Sequence, residues 1–196
     1  MIHRATILYE DQVEGKVTEY GPLALVKQCV CDRLNLQPWE ITGIDPLPKK
    51  GNGNVRKDCK QNLKRLAADG RTVFAVYDSD KICEFVKLPP TACKTLVLKR
   101  LKEGCEPSDK LVVILLERNL ESVLQAICEI DRSIVSAEEQ AYALERKNLV
   151  ARDAILRAAA APTPPRRDLR EQILARVPSL RRLVDKILEV YAPADR

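Results

Sequence analysis

Two short stretches, Val73–Tyr77 and Leu111–Leu116, are apolar at every position. A strand with one wet face alternates apolar and polar residues. A strand with no alternation needs cover on both faces, as in parallel sheets flanked by helices. Ala5–Tyr9 reads as a first strand, Trp39–Ile44 as a short second, Thr72–Tyr77 as a third and Leu111–Leu116 as a fourth. Helical patterns fall between them. Leu23, Val26, Val30 and Leu34 recur at helical spacing after Gly21-Pro22. A second helix runs over about Val55–Ala68, with Gly70 as its stop. Ile82–Val86 is a short helix or turn, Thr91 caps a helix reaching Glu103, and Asn119 caps one reaching Ile130. This alternation predicts an α/β, Rossmann-like domain with a mostly parallel four-stranded sheet flanked by helices and right-handed crossovers.

No strand is expected beyond residue 131. The expected divide therefore separates an α/β domain over 1–132 from a C-terminal helical extension over 133–196. Ser136 and Glu139 fit a capping box opening a helix over 136–160. A Pro-rich break follows at 161–165, then helices over 166–177 and 178–191, because Pro178 interrupts a single helix. Leu169, Ile173, Val177, Leu180, Val184, Ile187 and Tyr191 form a heptad-like apolar seam. It either packs back onto the body of the protein or serves as a homodimer or partner contact.

Composition removes several chemistries. The single histidine, His3, leaves no basis for Ser-His-Asp or Cys-His catalysis, for an HNH nuclease or for most catalytic zinc sites. The seven cysteines contain no C-x-x-C pair, so they read as reduced, mostly buried thiols. Aromatic residues make up only 4%, which argues against base-stacking platforms. The net charge of +5 permits contact with nucleic acid without requiring it. The Met1–Gln12 stretch lacks the apolar run of a secretory signal, and Leu111–Leu116 is far too short to span a bilayer. A cytoplasmic protein without membrane contact is expected.

Three of the four strands end in acid. The first runs into Glu10-Asp11 with Glu14 four residues on, the third into Asp78-Ser79-Asp80, and the fourth into Glu117 and then Glu121. In a parallel sheet such ends share one edge, where ligands bind. On extended chain Asp78 and Asp80 face the same way, so both can reach one cation. Gathered carboxylates repel each other unless a cation lies between them, and hard oxygen donors suit Mg²⁺ or Mn²⁺. Each acid also has an ordinary explanation in turns, helix caps or helix dipoles. Their coincidence points to a metal site and to phosphodiester hydrolysis.

In the order Glu10, then Asp78-Ser79-Asp80, the chain resembles a TOPRIM domain over about residues 5–130, in the small stand-alone and overcoming-lysogenization-defect (OLD) nuclease branch. Asp11 stands where that family usually has glycine. The resemblance implies an acid–base role for Glu10, metal binding by Asp78 and Asp80, and further acidic ligands at Glu14 and Glu121. It also implies an ABC-type ATPase partner and a role in anti-phage defence.

Lys49, Lys50, Arg56 and Lys57, around Gly51-Asn52-Gly53-Asn54, together with Lys81, are candidates for contact with a phosphate backbone. The segment equally fits a flexible basic loop and has no Walker pattern. The sequence thus supports a Mg²⁺-dependent (or Mn²⁺-dependent) nuclease acting on DNA or RNA. The alternative is a non-catalytic TOPRIM-like module that binds an ATPase or self-associates through its C-terminal helices. A phosphatase-like enzyme is weaker, because its D-x-D belongs on the first strand.

Overall fold

The computed structural model describes residues 5–10, 22–117, 120–145 and 148–191. Among these, β1 (Ala5–Glu10), β2 (Ile44–Lys49), β3 (Thr72–Asp78) and β4 (Leu111–Leu116) form one four-stranded sheet in the order β2-β1-β3-β4. Every pair is parallel. The described helices are α1 (Pro22–Leu34), α2 (Gly51–Leu66), α3 (Ile82–Phe85), α4 (Lys94–Lys102), α5 (Leu120–Ile130), α6 (Ala137–Leu144), α7 (Leu149–Ala159), α8 (Pro164–Arg176) and α9 (Pro178–Tyr191). The class is α/β and Rossmann-like, with a helical C-terminal region.

The chain divides into two compact units, one of residues 1–17 and 42–116, the other of 18–41 and 117–196. The sequence placed the divide at 132/133. Contacts instead group α1 and α5 with the C-terminal helices, because α1 packs on α7, α8 and α9 while α5 packs on α6, α7 and α8.

In the sheet unit, α2 lies against β1 and β3, and α4 against β4. Register places Leu8 beside Ala75 and Ala75 beside Val113. These three share a buried cluster with Val55, Cys59 and Leu63 of α2 and with Val97 and Leu101 of α4. Each buried Val or Leu side chain contributes about 1.5–3 kcal/mol, which is what holds the helices on this face. All seven cysteines are free, and five of them are buried.

The structure corrects the sequence reading at several points. The second strand is Ile44–Lys49, and Trp39, expected in a strand, lies in a turn and is 75% exposed. Pro46 and Pro48 concealed this strand. It is an edge strand, where alternate N–H groups point away from the sheet, so prolines two residues apart cost no ladder bond. The Gly51–Asn54 segment is the first turn of α2 and not a loop, with Lys50 at its N-cap. The helix after Pro89-Pro90 starts at Lys94, with Cys93 rather than Thr91 at its N-cap.

In the helical unit, the capping box of Ser136 and Glu139 is present at the start of α6. The long helix expected over 136–160 is two helices. Asn148 restarts it, its side-chain oxygen accepting from the Val150 and Ala151 N–H groups at 3.0 and 3.1 Å. The apolar seam faces inward: Leu169, Ile173, Val177, Leu180, Val184 and Ile187 are all buried. Of its two readings, packing within the chain is the one observed, so this seam does not present a ready homodimer face. Among the described residues no helix is long and apolar enough to cross a membrane.

Candidate site at the strand ends

Because the strands are parallel, their C-terminal ends share one rim of the sheet. The order β2-β1-β3-β4 has its topological switch between β1 and β3: the chain leaves β1 toward β2 on one side and returns to β3 on the other. Crevices at such switch points, beyond the carboxyl ends of the strands, are where open α/β sheets take ligands. Glu10 is the last residue of β1 and Asp78 the last of β3. Tyr9 pairs with Val76, so Glu10 lies one residue level below Asp78 on the adjacent strand.

Glu10 is on the exposed rim, and strand alternation from Leu8 turns it to the face covered by α2. The Asn52 backbone N–H, in the first turn of α2, donates to its carboxylate. Burial by the surrounding chain raises the Glu10 carboxyl above the ordinary glutamate value, and the Asn52 hydrogen bond offsets part of that rise. Gly51 sits at φ 81°, and a Cβ there would lie 4.0 Å from Glu10 Oε1. Glycine is favoured here by the positive φ rather than by lack of room. Asn52 Oδ1 is a buried oxygen with no hydrogen-bond partner. Gly51 and Asn52 were read only as a basic, Gly-rich approach to phosphate. Their service to Glu10 was missed because the true start of α2 was missed.

Asp78 is half-buried and Asp80 exposed. By alternation Asp78 starts on the face opposite Glu10, so the two carboxylates flank the rim. The Ser79 N–H still donates to the Leu116 carbonyl at 3.0 Å, so extended pairing runs one residue past Asp78. Asp80 stands in the turn that follows, closed by the Ile82 N–H donating to the Ser79 carbonyl at 3.1 Å. The turn then passes through Lys81, exposed and left-handed at φ 57°. Glu14 lies outside the described residues.

Glu117 and Glu121 belong to the helical unit. Glu117 is exposed, and its N–H donates to Ser179 Oγ at 3.1 Å. Glu121 Oε1 accepts from Arg152 Nη2 at 2.7 Å, an ion pair with a guanidinium only 7% exposed. Among the described residues no three His, Cys, Asp or Glu side chains gather in a cluster that could hold a metal.

The expected basic residues divide in the same way. Lys49 pairs with Asp58 at 2.6 Å. Arg56 is half-buried, donates to the Arg100 carbonyl at 3.0 Å and stacks on the Phe85 ring at 5.7 Å. Both tie α2 to its neighbours. Lys50, Lys57 and Lys81 are exposed.

Two comparisons return nothing: no family model matches the sequence, and no curated protein matches it. Among solved structures the chain is similar to the C-terminal region of the Burkholderia pseudomallei OLD protein. The match spans 98% of this chain and 100% of that one, at 12% identity and a TM-score of 0.39. A likeness this distant carries no inference about function.

Proposed function

We propose that the chain is a divalent-metal-dependent phosphodiesterase of TOPRIM type acting on DNA or RNA. One observation carries the proposal: the two strands flanking the switch point each end in a carboxylate, Glu10 and Asp78, on one rim. The donors there are all oxygen, and Asn52 adds an orphaned carbonyl oxygen on the residue that holds Glu10. Mg²⁺ commonly takes only one or two carboxylates, completing its shell with water and substrate phosphate oxygens, so this set fits Mg²⁺ or Mn²⁺.

Asp78 and Asp80 would hold the cation, and Glu14 would add a further carboxylate. Glu121 is set aside because Arg152 already engages it. Bound there, the cation would neutralise phosphate charge and activate water. Glu10, whose carboxyl burial raises above the ordinary glutamate value, would take up and return a proton at Oε1 or Oε2 during the reaction. Lys50 and Lys81, both exposed, would orient the phosphate backbone. Action beside an ABC-type ATPase in anti-phage defence rests on the TOPRIM resemblance alone. Phage plating on cells expressing wild type or Asp78→Ala tests it: protection that survives the substitution would refute it.

The proposal is tested by incubating plasmid DNA and tRNA with the protein and Mg²⁺ or Mn²⁺. Cleavage should fall at least about a hundredfold in Asp78→Ala and in Glu10→Gln. Cleavage unchanged in both variants would contradict it. A second reading, a non-catalytic module, draws on the lack of a three-residue metal cluster among the described residues. Wild-type protein inert on both substrates with either cation would favour that module.

A further inference from the structure

The geometry points to a second basic element in the sheet unit: a lysine stripe along α2 that binds the phosphodiester backbone of duplex nucleic acid and leads it to the rim at Glu10. Lys57, Lys60 and Lys64 are all exposed. At 100° per residue they fall within about 60° of one another, so they form one stripe. Lys50, exposed at the N-cap, continues it to the rim end. From Lys50 to Lys64 the stripe is about 21 Å long at 1.5 Å per residue.

No acid on α2 neutralises the stripe. The one acidic residue of the helix, Asp58, is half-buried and engaged by Lys49 at 2.6 Å. Arg65 adds exposed charge beside Lys64. Lys60 lies near the end of α4, where a Cβ on Gly104 would be 3.7 Å from its Nζ. Lys102 of the last turn of α4 adds positive charge there, while Arg100 is paired with Glu103 at 2.8 Å. A surface helix needing only solubility gains most from mixed charges at i,i+4 spacing. Here Lys60 and Lys64 repel at that spacing, Lys57 gains no attraction from the neutral Gln61, and an external polyanion relieves the repulsion.

The ligand class follows from what the stripe lacks. It has no aromatic residue for base stacking, so it contacts phosphates and reads no sequence. The direction follows from α2, which starts beside Glu10 through Asn52 and Gly51. A backbone lying on the stripe therefore meets the carboxylate rim at one end. This inference rests on the proposed phosphodiesterase for its purpose, but binding to the stripe needs no metal and is measured separately.

The test is fluorescence anisotropy of the full chain with labelled 20-base-pair duplexes in EDTA, titrated with NaCl from 50 to 200 mM. For about four phosphate contacts the log–log salt slope should be roughly −3.6 at −0.9 per contact. The triple variant Lys57→Gln, Lys60→Gln, Lys64→Gln should bind at least about tenfold more weakly at 50 mM, with a slope near −0.9. Gln has helix propensity close to that of Lys, so the fold should survive, as circular dichroism would verify. An equal loss of charge elsewhere, Arg132→Gln, Arg181→Gln, Arg182→Gln, should leave the slope near that of the wild type. Duplex DNA and duplex RNA run side by side identify the source: the one bound more tightly, and weakened by the lysine variant, is the ligand. An unchanged slope in the lysine variant, an equal drop in the arginine control, or no salt-dependent binding by the wild type would overturn the inference. If the stripe binds duplex but no cleavage follows with Mg²⁺ or Mn²⁺, the phosphodiesterase reading fails and the stripe stands.

Discussion

The two units treat charge in opposite ways. Among the described residues the sheet unit buries no Asp, Glu, Lys or Arg, and its core is aliphatic, aromatic and cysteine. The helical unit buries two arginines, Arg170 at 1% and Arg152 at 7% exposure. Arg170 holds Asp32 through Nε at 2.5 Å and Nη2 at 3.1 Å, and its Nη1 donates to the Ala159 and Ala161 carbonyls. Arg152 holds Glu121 and the Ala143 carbonyl. Asp32 and Glu121 in the helical unit are thus tied to guanidinium groups that fasten helices together, whereas Glu10 and Asp78 stand at the strand ends of the sheet. An acid at the start of a helix and an acid at the end of a strand look alike in sequence, and only the fold tells them apart.

If this contrast is correct, removing a buried polar group should have opposite effects in the two units. The largest effect is expected for Arg170→Ala, which takes from the half-buried Asp32 its guanidinium partner and from the Ala159 carbonyl its Arg170 donor. A loss of about 3–5 kcal/mol in urea unfolding is expected. Replacing the pair together, Arg170→Met with Asp32→Leu, should recover most of it. A loss under about 1 kcal/mol for Arg170→Ala would place the pair among ordinary surface ion pairs.

In the sheet unit the sign reverses. Thr6 is 1% exposed in β1, and its hydroxyl has no hydrogen-bond partner. Thr6→Val should stabilise the protein by about 1 kcal/mol by removing an unsatisfied buried oxygen. A destabilisation of that size would mean that the hydroxyl does find a partner.

The smallest effect concerns pH. The Glu10 carboxyl is raised in the folded chain, so the folded state holds its proton to higher pH than the unfolded state does. Stability from this group is present below the unfolded value and is lost as pH rises from there through the folded value. Glu10→Gln removes that loss. Its melting temperature should equal that of the wild type at low pH and exceed it slightly at pH 7. A variant less stable than the wild type only at pH 7 would show that the ionised carboxylate is stabilised, contrary to the assigned cause.

Strands β3 and β4 were legible because burial on both faces leaves no polar position in them. β2 was not, because an edge strand tolerates Pro46 and Pro48, residues that elsewhere mark a turn. The start of α2 was hidden by Gly51 and Gly53, poor helix formers, of which Gly51 supplies a positive φ where the helix meets Glu10. Glu10, Asp78 and Asp80 could be singled out from their place after apolar runs. The engagement of Glu121 could not, since its partner Arg152 lies 31 residues away and long-range ion pairs leave no local pattern. The apolar seam of α8 and α9 was visible as a period, but what it packs on required the arrangement of the helices.

The central claim is that Asp78 and Asp80, at the end of β3, hold a divalent cation on the rim that Glu10 shares. Isothermal titration of Mn²⁺ into the nucleic-acid-free protein tests it without any assumption about substrate. The wild type should bind in the millimolar range or tighter, and Asp78→Asn with Asp80→Asn should weaken binding by at least about tenfold, with an unchanged circular dichroism spectrum. Wild-type protein that takes up no Mn²⁺ at millimolar concentration, or a double variant that binds it as well as the wild type, would contradict the account.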